Sequence, residues 1–307
     1  MKRSYWLRDA AAATAVVASW WLWRRIRRRR TSLARHVAIV TGGSRGLGFL
    51  IARELAREGC RVVICARDEA ALVRARDELR AAGAAQVIAL PCDVSDPEQV
   101  EAMVLETQRR FGQIDVLVNN AGIIQVAPVD ALSLSDFQRA MDIDFWGTVN
   151  TTLAVLPAMR ARRSGRIVNV TSIGGKVAVP HLLPYDCAKF AAVGFSEGLR
   201  AELARAGVSV TTIVPGLMRT GSHQFAEFRG KPAAEHAWFG LAASTPGLAI
   251  SARRAARRIV RAAKRRKAEV VIGVPAKILR LCKELFTAPT LRALSVANRL
   301  MPKAKTV

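Results

Sequence analysis

Residues Val37 to Gly48, VAIVTGGSRGLG, decide the fold. An apolar, β-branched run ends at Thr41, a glycine-rich turn follows, and FLIARELAR then carries helical spacing. The glycines permit a tight turn and let backbone N–H groups approach a pyrophosphate at the positive end of the helix dipole. A lone glycine pattern is weak; one set between strand and helix at the head of a series of such units is strong. Gly42, Ser44, Arg45, Gly46, Leu47 and Gly48 are therefore expected to face the phosphates.

Working outward, the same alternation recurs. Short strands are predicted at Val37 to Gly42, Arg61 to Ala66, Gln86 to Pro91, Ile114 to Asn119, Arg166 to Thr171, Val208 to Ile213 and Glu269 to Gly273. Helices are predicted to begin near Gly46, Asp68, Ser95, Ser135, Tyr185 and Ser251. Strands alternating with helices mark βαβ units, so the expectation is an α/β, doubly wound, seven-stranded parallel sheet over residues 36–273, with its ligand at the carboxyl ends of the strands. Residues 217–250 break the rhythm and are expected to cover the substrate.

The chain has 307 residues, 51% of them hydrophobic, and a formal net charge of +24. That charge is uneven: residues 1–35 carry ten Lys/Arg against one acid, residues 251–307 sixteen against two, and the body between them 22 against 21. A neutral body with two basic ends argues against nucleic-acid binding and for ends that meet an anionic lipid surface. At the N-terminus, the fourteen-residue stretch Ala10 to Trp23 precedes RRIRRRR (Arg24 to Arg30), with Trp20, Trp21 and Trp23 beside the basic block. This predicts an uncleaved membrane anchor in residues 1–35 that either spans the bilayer or lies on it, with the body in the cytoplasm. Residues 274–307 form a basic extension in which KILRLCKELF (Lys277 to Phe286) is an amphipathic helix suited to a membrane or to a partner subunit. Five scattered cysteines without metal spacing point to reduced thiols and no metal site.

At the end of the second strand, Cys65-Ala66-Arg67 holds no acid to bond a ribose 2′-hydroxyl. Arg67 and Arg45 would instead clamp a 2′-phosphate, which selects NADP(H). Tyr185 and Lys189, four apart at a helix start, share one face, and Ser172 ends the fifth strand thirteen residues earlier. A tyrosine becomes a general acid/base when a neighbouring ammonium lowers its pKa, and a serine hydroxyl can hold the reacting oxygen.

These motifs resemble the short-chain dehydrogenase/reductase family in its NADP-preferring branch: TGGSRGLG, Cys92-Asp93-Val94, Asn119-Asn120-Ala121-Gly122, Ser172, Tyr185-Asp186-Cys187-Ala188-Lys189 and Pro215-Gly216, in order, over roughly Ala34 to Gly273. The resemblance implies a Rossmann-type fold, with Asp93 and Val94 against adenine and Asn119, Ala121 and Gly122 lining the cofactor cleft. It implies Lys189 on the nicotinamide ribose, Pro215, Gly216 and Thr220 beside the nicotinamide, and a homodimer or homotetramer. Tyr185 would exchange a proton with the substrate oxygen as hydride passes between carbon and nicotinamide. One position departs from the pattern: IDFWG places Asp144 where the family usually has an Asn that supports the lysine. Asp144 is accordingly counted with the catalytic set, as a carboxylate expected near Lys189. His181 and His223 lack a partner in the pattern and read as loop histidines.

The expected activity is NADPH-dependent interconversion of a carbonyl and an alcohol on a hydrophobic substrate (lipid, steroid, retinoid or aromatic). The competing reading is a non-catalytic NADPH-binding scaffold at a membrane, encouraged only by Asp144.

Overall fold

A computed structural model describes residues 32–84, 86–219, 225–245 and 249–302. Residues 1–31 of the predicted N-terminal anchor lie outside them, as do Thr220 and His223.

Seven parallel strands form one sheet: β1 (Val37–Thr41), β2 (Arg61–Ala66), β3 (Val87–Pro91), β4 (Val116–Asn119), β5 (Gly165–Val170), β6 (Val208–Pro215) and β7 (Glu269–Ile272). Their spatial order is β7-β6-β5-β4-β1-β2-β3. The order reverses between β1 and β4, which pair through Ala38↔Val116, Ile39↔Leu117 and Val40↔Val118. At that reversal the connections leave in opposite directions and open a crevice above the strand ends.

Helices cover both faces: α1 (Gly46–Arg57), α2 (Glu69–Ala81), α3 (Pro97–Phe111), α4 (Leu134–Ala140), α5 (Gly147–Ala161), α6 (Leu183–Glu202), α7 (Pro232–Ser244) and α8 (Ala252–Lys264). Every residue of β1 is buried, because successive side chains enter opposite cores. Ala38 and Val40 pack with Leu47, Ile51 and Leu55 of α1 and with Ile259 of α8. Ile39 packs on the other face with Met103 of α3 and Val155 and Met159 of α5. The basic run of α8 is a solvated face: Ala255, Ala256, Ile259 and Val260 are buried while Arg253, Arg254, Arg257 and Arg258 point outward.

Two features differ from the sequence expectation. The covering segment contains a regular helix, α7, which the sequence hides because PAAEHAWFGLAAS is apolar on most of its circumference and shows no period. Between α4 and α5 the chain takes a π-helical turn, Met141–Trp146. The extra residue per turn displaces Asp144 inward, as such turns do at functional sites. Beyond β7 the C-terminal extension holds two helices, α9 (Val274–Leu285) and α10 (Thr287–Asn298). Among the described residues, no helix is long and apolar enough to cross a membrane.

Candidate active site

The glycine turn between β1 and α1 is held from behind by the end of β4. Thr41 Oγ1 accepts from the N–H groups of Asn120 and Ala121 at 2.9 Å each. Asn120 Nδ2 donates to Thr41 O at 3.0 Å. A Cβ on Gly48 would lie 2.2 Å from Gly42 O, so only glycine permits this packing of helix on turn, and Gly42 itself sits at φ +63°.

The two helix starts that follow along the chain are closed by acids: Asp68 accepts from Ala71 N at α2, and Asp96 from Glu98 N and Gln99 N at α3. By contrast, α1 has no side-chain cap and no acid in its first turn, and a Cβ on Gly46 would meet only open space. Its free N–H groups and dipole fit a dinucleotide pyrophosphate, whose charge would complete the helix. Ser44, Arg45 and Leu47 belong to the same turn.

Beyond the end of β2, Arg67 Nη1 lies 3.8 Å from Asp93 Oδ2, both partly exposed. Asp93 is fixed by Ser95, whose N–H and hydroxyl donate to Oδ1 at 3.0 and 2.7 Å. Val94 is buried against Gly147. The Arg45 guanidinium stacks 3.9 Å above the ring of Phe225, in the covering segment. Asn119 serves the fold: its amide donates to Asn169 Oδ1 at 2.9 Å and Thr152 Oγ1 at 3.0 Å, and Thr151 donates to its oxygen at 2.7 Å. The Asn119 side chain therefore turns into a buried polar network rather than the cleft. Pro215 ends β6, and Gly216 N–H donates to Ile272 O at 2.9 Å, fastening this corner to β7.

Ser172 follows β5, and its Oγ accepts from Gly174 N at 3.0 Å. Tyr185 and Lys189 lie in the first two turns of α6, with the ammonium 5.5 Å from the centre of the phenol ring. Ser172 and Tyr185 converge on Gly174, where a Cβ would stand 3.4 Å from Ser172 Oγ and 3.3 Å from Tyr185 Cε1. Lys189 and Asp144 are both buried, with Nζ 2.9 Å from Oδ1. A Cβ on Gly122 would stand 2.2 Å from that same Oδ1 and 3.3 Å from Nζ, so the ion pair occupies the space glycine leaves.

This pairing reverses one expectation. Burial raises the Tyr185 pKa; the Lys189 charge opposes the rise, and Asp144 reinforces it, leaving the phenol above its ordinary value. Asp144 neutralises much of the help that Lys189 would give a phenolate. Burial likewise raises the Asp144 carboxyl against the pull of Lys189. For Lys189, burial disfavours the ammonium, but Asp144 and Tyr185 outweigh it and its pKa is raised.

Three further residues hold positions that the sequence does not assign them. Asp186, next to Tyr185, accepts from Val179 N at 2.6 Å, while its Oδ1 is buried without a hydrogen bond. Burial pushes this carboxyl up to about 8. His181, expected as a loop histidine without a partner, is buried and paired: its Nδ1 lies 2.9 and 3.0 Å from the two oxygens of the fully buried Glu235 of α7, which also accepts from Trp238 Nε1 at 2.6 Å. This bond ties the covering helix to the loop that leads into α6. Glu235 gave no signal in sequence, since its partner lies 54 positions away. Val126, Leu182 and Phe239, with Ile124, Val179, Phe228 and Trp238 around them, pack with Tyr185 into an apolar cluster. Among the described residues, no group of three or more His, Cys, Asp or Glu is placed to hold a metal.

The family model for the short chain dehydrogenases matches residues 36–227, from the first strand to the covering segment. The chain belongs to this family. It is an oxidoreductase of carbonyl and alcohol groups, and the family binds a nicotinamide cofactor. A 3-oxoacyl-[acyl-carrier-protein] reductase of Synechocystis is 37% identical over 62% of this chain and 77% of its own. A Drosophila melanogaster "dehydrogenase/reductase SDR family protein 7-like" is 30% identical over 86% of this chain and 83% of its own. The crystal structure of a point variant of the actinorhodin polyketide ketoreductase with NADPH superimposes with a TM-score of 0.67 at 34% identity, covering 78% of this chain and 95% of that one.

Two outcomes follow from the charges at this short-chain dehydrogenase site. Replacing Asp144→Asn removes a negative charge from the phenol and lowers the Tyr185 pKa. The ascending limb of the pH–rate profile for alcohol oxidation is expected to move to lower pH by roughly one unit; an unmoved limb would contradict the assignment. Asp186 is protonated in the folded chain and ionised in the unfolded one between its ordinary pKa of 3.8 and about 8, so stability falls as pH rises through that window. Asp186→Asn should flatten the dependence, raising Tm at pH 8 by roughly 4 °C or more, read by calorimetry from about pH 5 to 9.

Proposed function

We propose that this chain interconverts a hydrophobic ketone or aldehyde and its alcohol with NADP(H), using Tyr185 as general acid/base. The assembly of Ser172, Tyr185 and Lys189 beneath an apolar roof carries the reading. In reduction, the Tyr185 hydroxyl gives its proton to the carbonyl oxygen. Its raised pKa leaves the phenol protonated through neutral pH, the form that reduction requires. Ser172 orients the same oxygen, and the Lys189 ammonium, held by Asp144, stabilises the phenolate left behind. When bound, the nicotinamide cofactor supplies or accepts the hydride. Lys189 would also hold the ribose beside it, and Asp93, Val94, Ala121, Gly122, Pro215 and Gly216 would line its length.

NADP(H) over NAD(H) is supported by the absence of an acid at the last positions of β2, by Arg67 directly after that strand and by Arg45 in the glycine turn after β1. It is supported further by the ketoreductase solved with NADPH. The apolar roof formed by Val126, Leu182, Phe228, Trp238 and Phe239 suits a lipid, steroid, retinoid or aromatic carbonyl. Nothing in the geometry favours a non-catalytic scaffold. The basic-flanked stretch Ala10 to Trp23 would hold the body on the cytoplasmic side of a membrane. The exposed Trp146 at the end of the π-helical turn, with Leu153 of α5 and Leu183 and Phe190 of α6, suits a homodimer or homotetramer.

A panel of lipid, steroid, retinoid and aromatic carbonyls, followed by NADPH oxidation in detergent, tests the reaction. Tyr185→Phe is expected to lower kcat by 10²-fold or more, on the order of what a lost general acid costs, with NADPH binding retained. The double variant Arg45→Ala/Arg67→Ala should raise KM for NADPH about tenfold and leave that for NADH unchanged. Turnover unaffected by Tyr185→Phe would overturn the mechanism, and equal KM values for the two cofactors in the parent would overturn the clamp.

A further inference from the structure

α9 is mounted inside out. Its body-facing side carries Ala276, packed on Gly216, together with the charged Arg280 and Lys283. Arg280 pairs with Glu269 of β7 and, at 2.7 Å, with Glu284 of its own helix. Lys283 lines a groove with Phe190, Val193 and Glu197 of α6. The opposite side is a row of large apolar residues at spacings of four, three and four: Val274 is 68% exposed, Ile278 57%, Leu281 54% and Leu285 65%. Phe286 extends the row at 59%. A helix of a water-soluble monomer ordinarily buries such a row.

We infer that this face of α9 is a docking surface for an anionic lipid bilayer. Charge selects the occupant. Residues 251–307 hold sixteen Lys/Arg and only two acids, Glu269 and Glu284, and Arg280 engages both. The remaining charge is cationic, with Lys277 beside the row, Arg292 exposed on α10 and Arg299 exposed just past its end. A second copy would bring the same patch onto itself across a twofold axis and oppose like charges. Anionic headgroups attract the cations while the apolar row enters the acyl boundary, the arrangement that interfacial helices adopt. The contact of Ala276 with Gly216 places the N-terminal end of the surface beside the corner that follows Pro215. An apolar carbonyl could then reach the site from the bilayer; this consequence rests on the proposed reaction, whereas the docking does not.

A fluorophore sensitive to polarity, attached at Ile278→Cys in a full chain carrying Cys187→Ser and Cys282→Ser, tests it directly. With vesicles of phosphatidylcholine containing about 30% phosphatidylglycerol, emission is expected to rise about threefold and to be quenched by lipid-borne nitroxide, with a weaker rise on pure phosphatidylcholine. The same label at Glu101→Cys on α3 should stay unchanged. The N-terminal segment could bring the chain to vesicles without burying residue 278, so an unchanged signal there overturns the inference even if the protein binds. A rise that follows protein concentration without lipid assigns the face to a second copy and likewise overturns it. Neither readout requires turnover, so failure of the proposed reaction would be seen separately, in the NADPH assay.

Discussion

Lys189 and Asp144 face each other at 2.9 Å with both charges buried, and the site is arranged around that contact. Either charge alone would be costly to bury; together they are tolerable, and each fixes the other. The π-helical turn brings Asp144 in, Gly122 leaves it room, and the first turns of α6 set Lys189 under the phenol of Tyr185. The arrangement has a chemical bias. A lysine whose charge is partly cancelled stabilises a phenolate less well, so Tyr185 holds its proton more firmly than a tyrosine beside an unpaired ammonium would.

Much of this was legible in the sequence. The seven strands read clearly because parallel strands are covered on both faces, so VAIVT and RVVICA are nearly continuous apolar runs and VSVTTIVP is rich in β-branched residues. Helix starts fell close to Asp68, Asp96, Ser133 and Ser251, residues that commonly begin helices. The spacing of Tyr185 and Lys189 requires one shared face, and the structure shows it.

Other features rest on contacts between distant parts of the chain. No local pattern announces the π turn, so Asp144 was visible as a departure but its distance to Lys189 was not. The sign of the Tyr185 shift depends on which of two opposed charges is nearer and how dry the site is. Glu235 and His181 are joined only by the tertiary fold, and α7 is hidden by its uniform apolarity. The amphipathy of α9 was plain in sequence, yet its orientation was not, because a helical wheel does not say which side meets the body.

Asp186 also changes the proton inventory of the molecule. A carboxyl that stays protonated to about 8 in the native chain and ionises when the chain opens makes folding at neutral pH a proton-consuming reaction. Its apparent folding enthalpy therefore includes the heat of ionisation of whatever buffer donates that proton, and two laboratories working in phosphate and in Tris would record different enthalpies for the same fold.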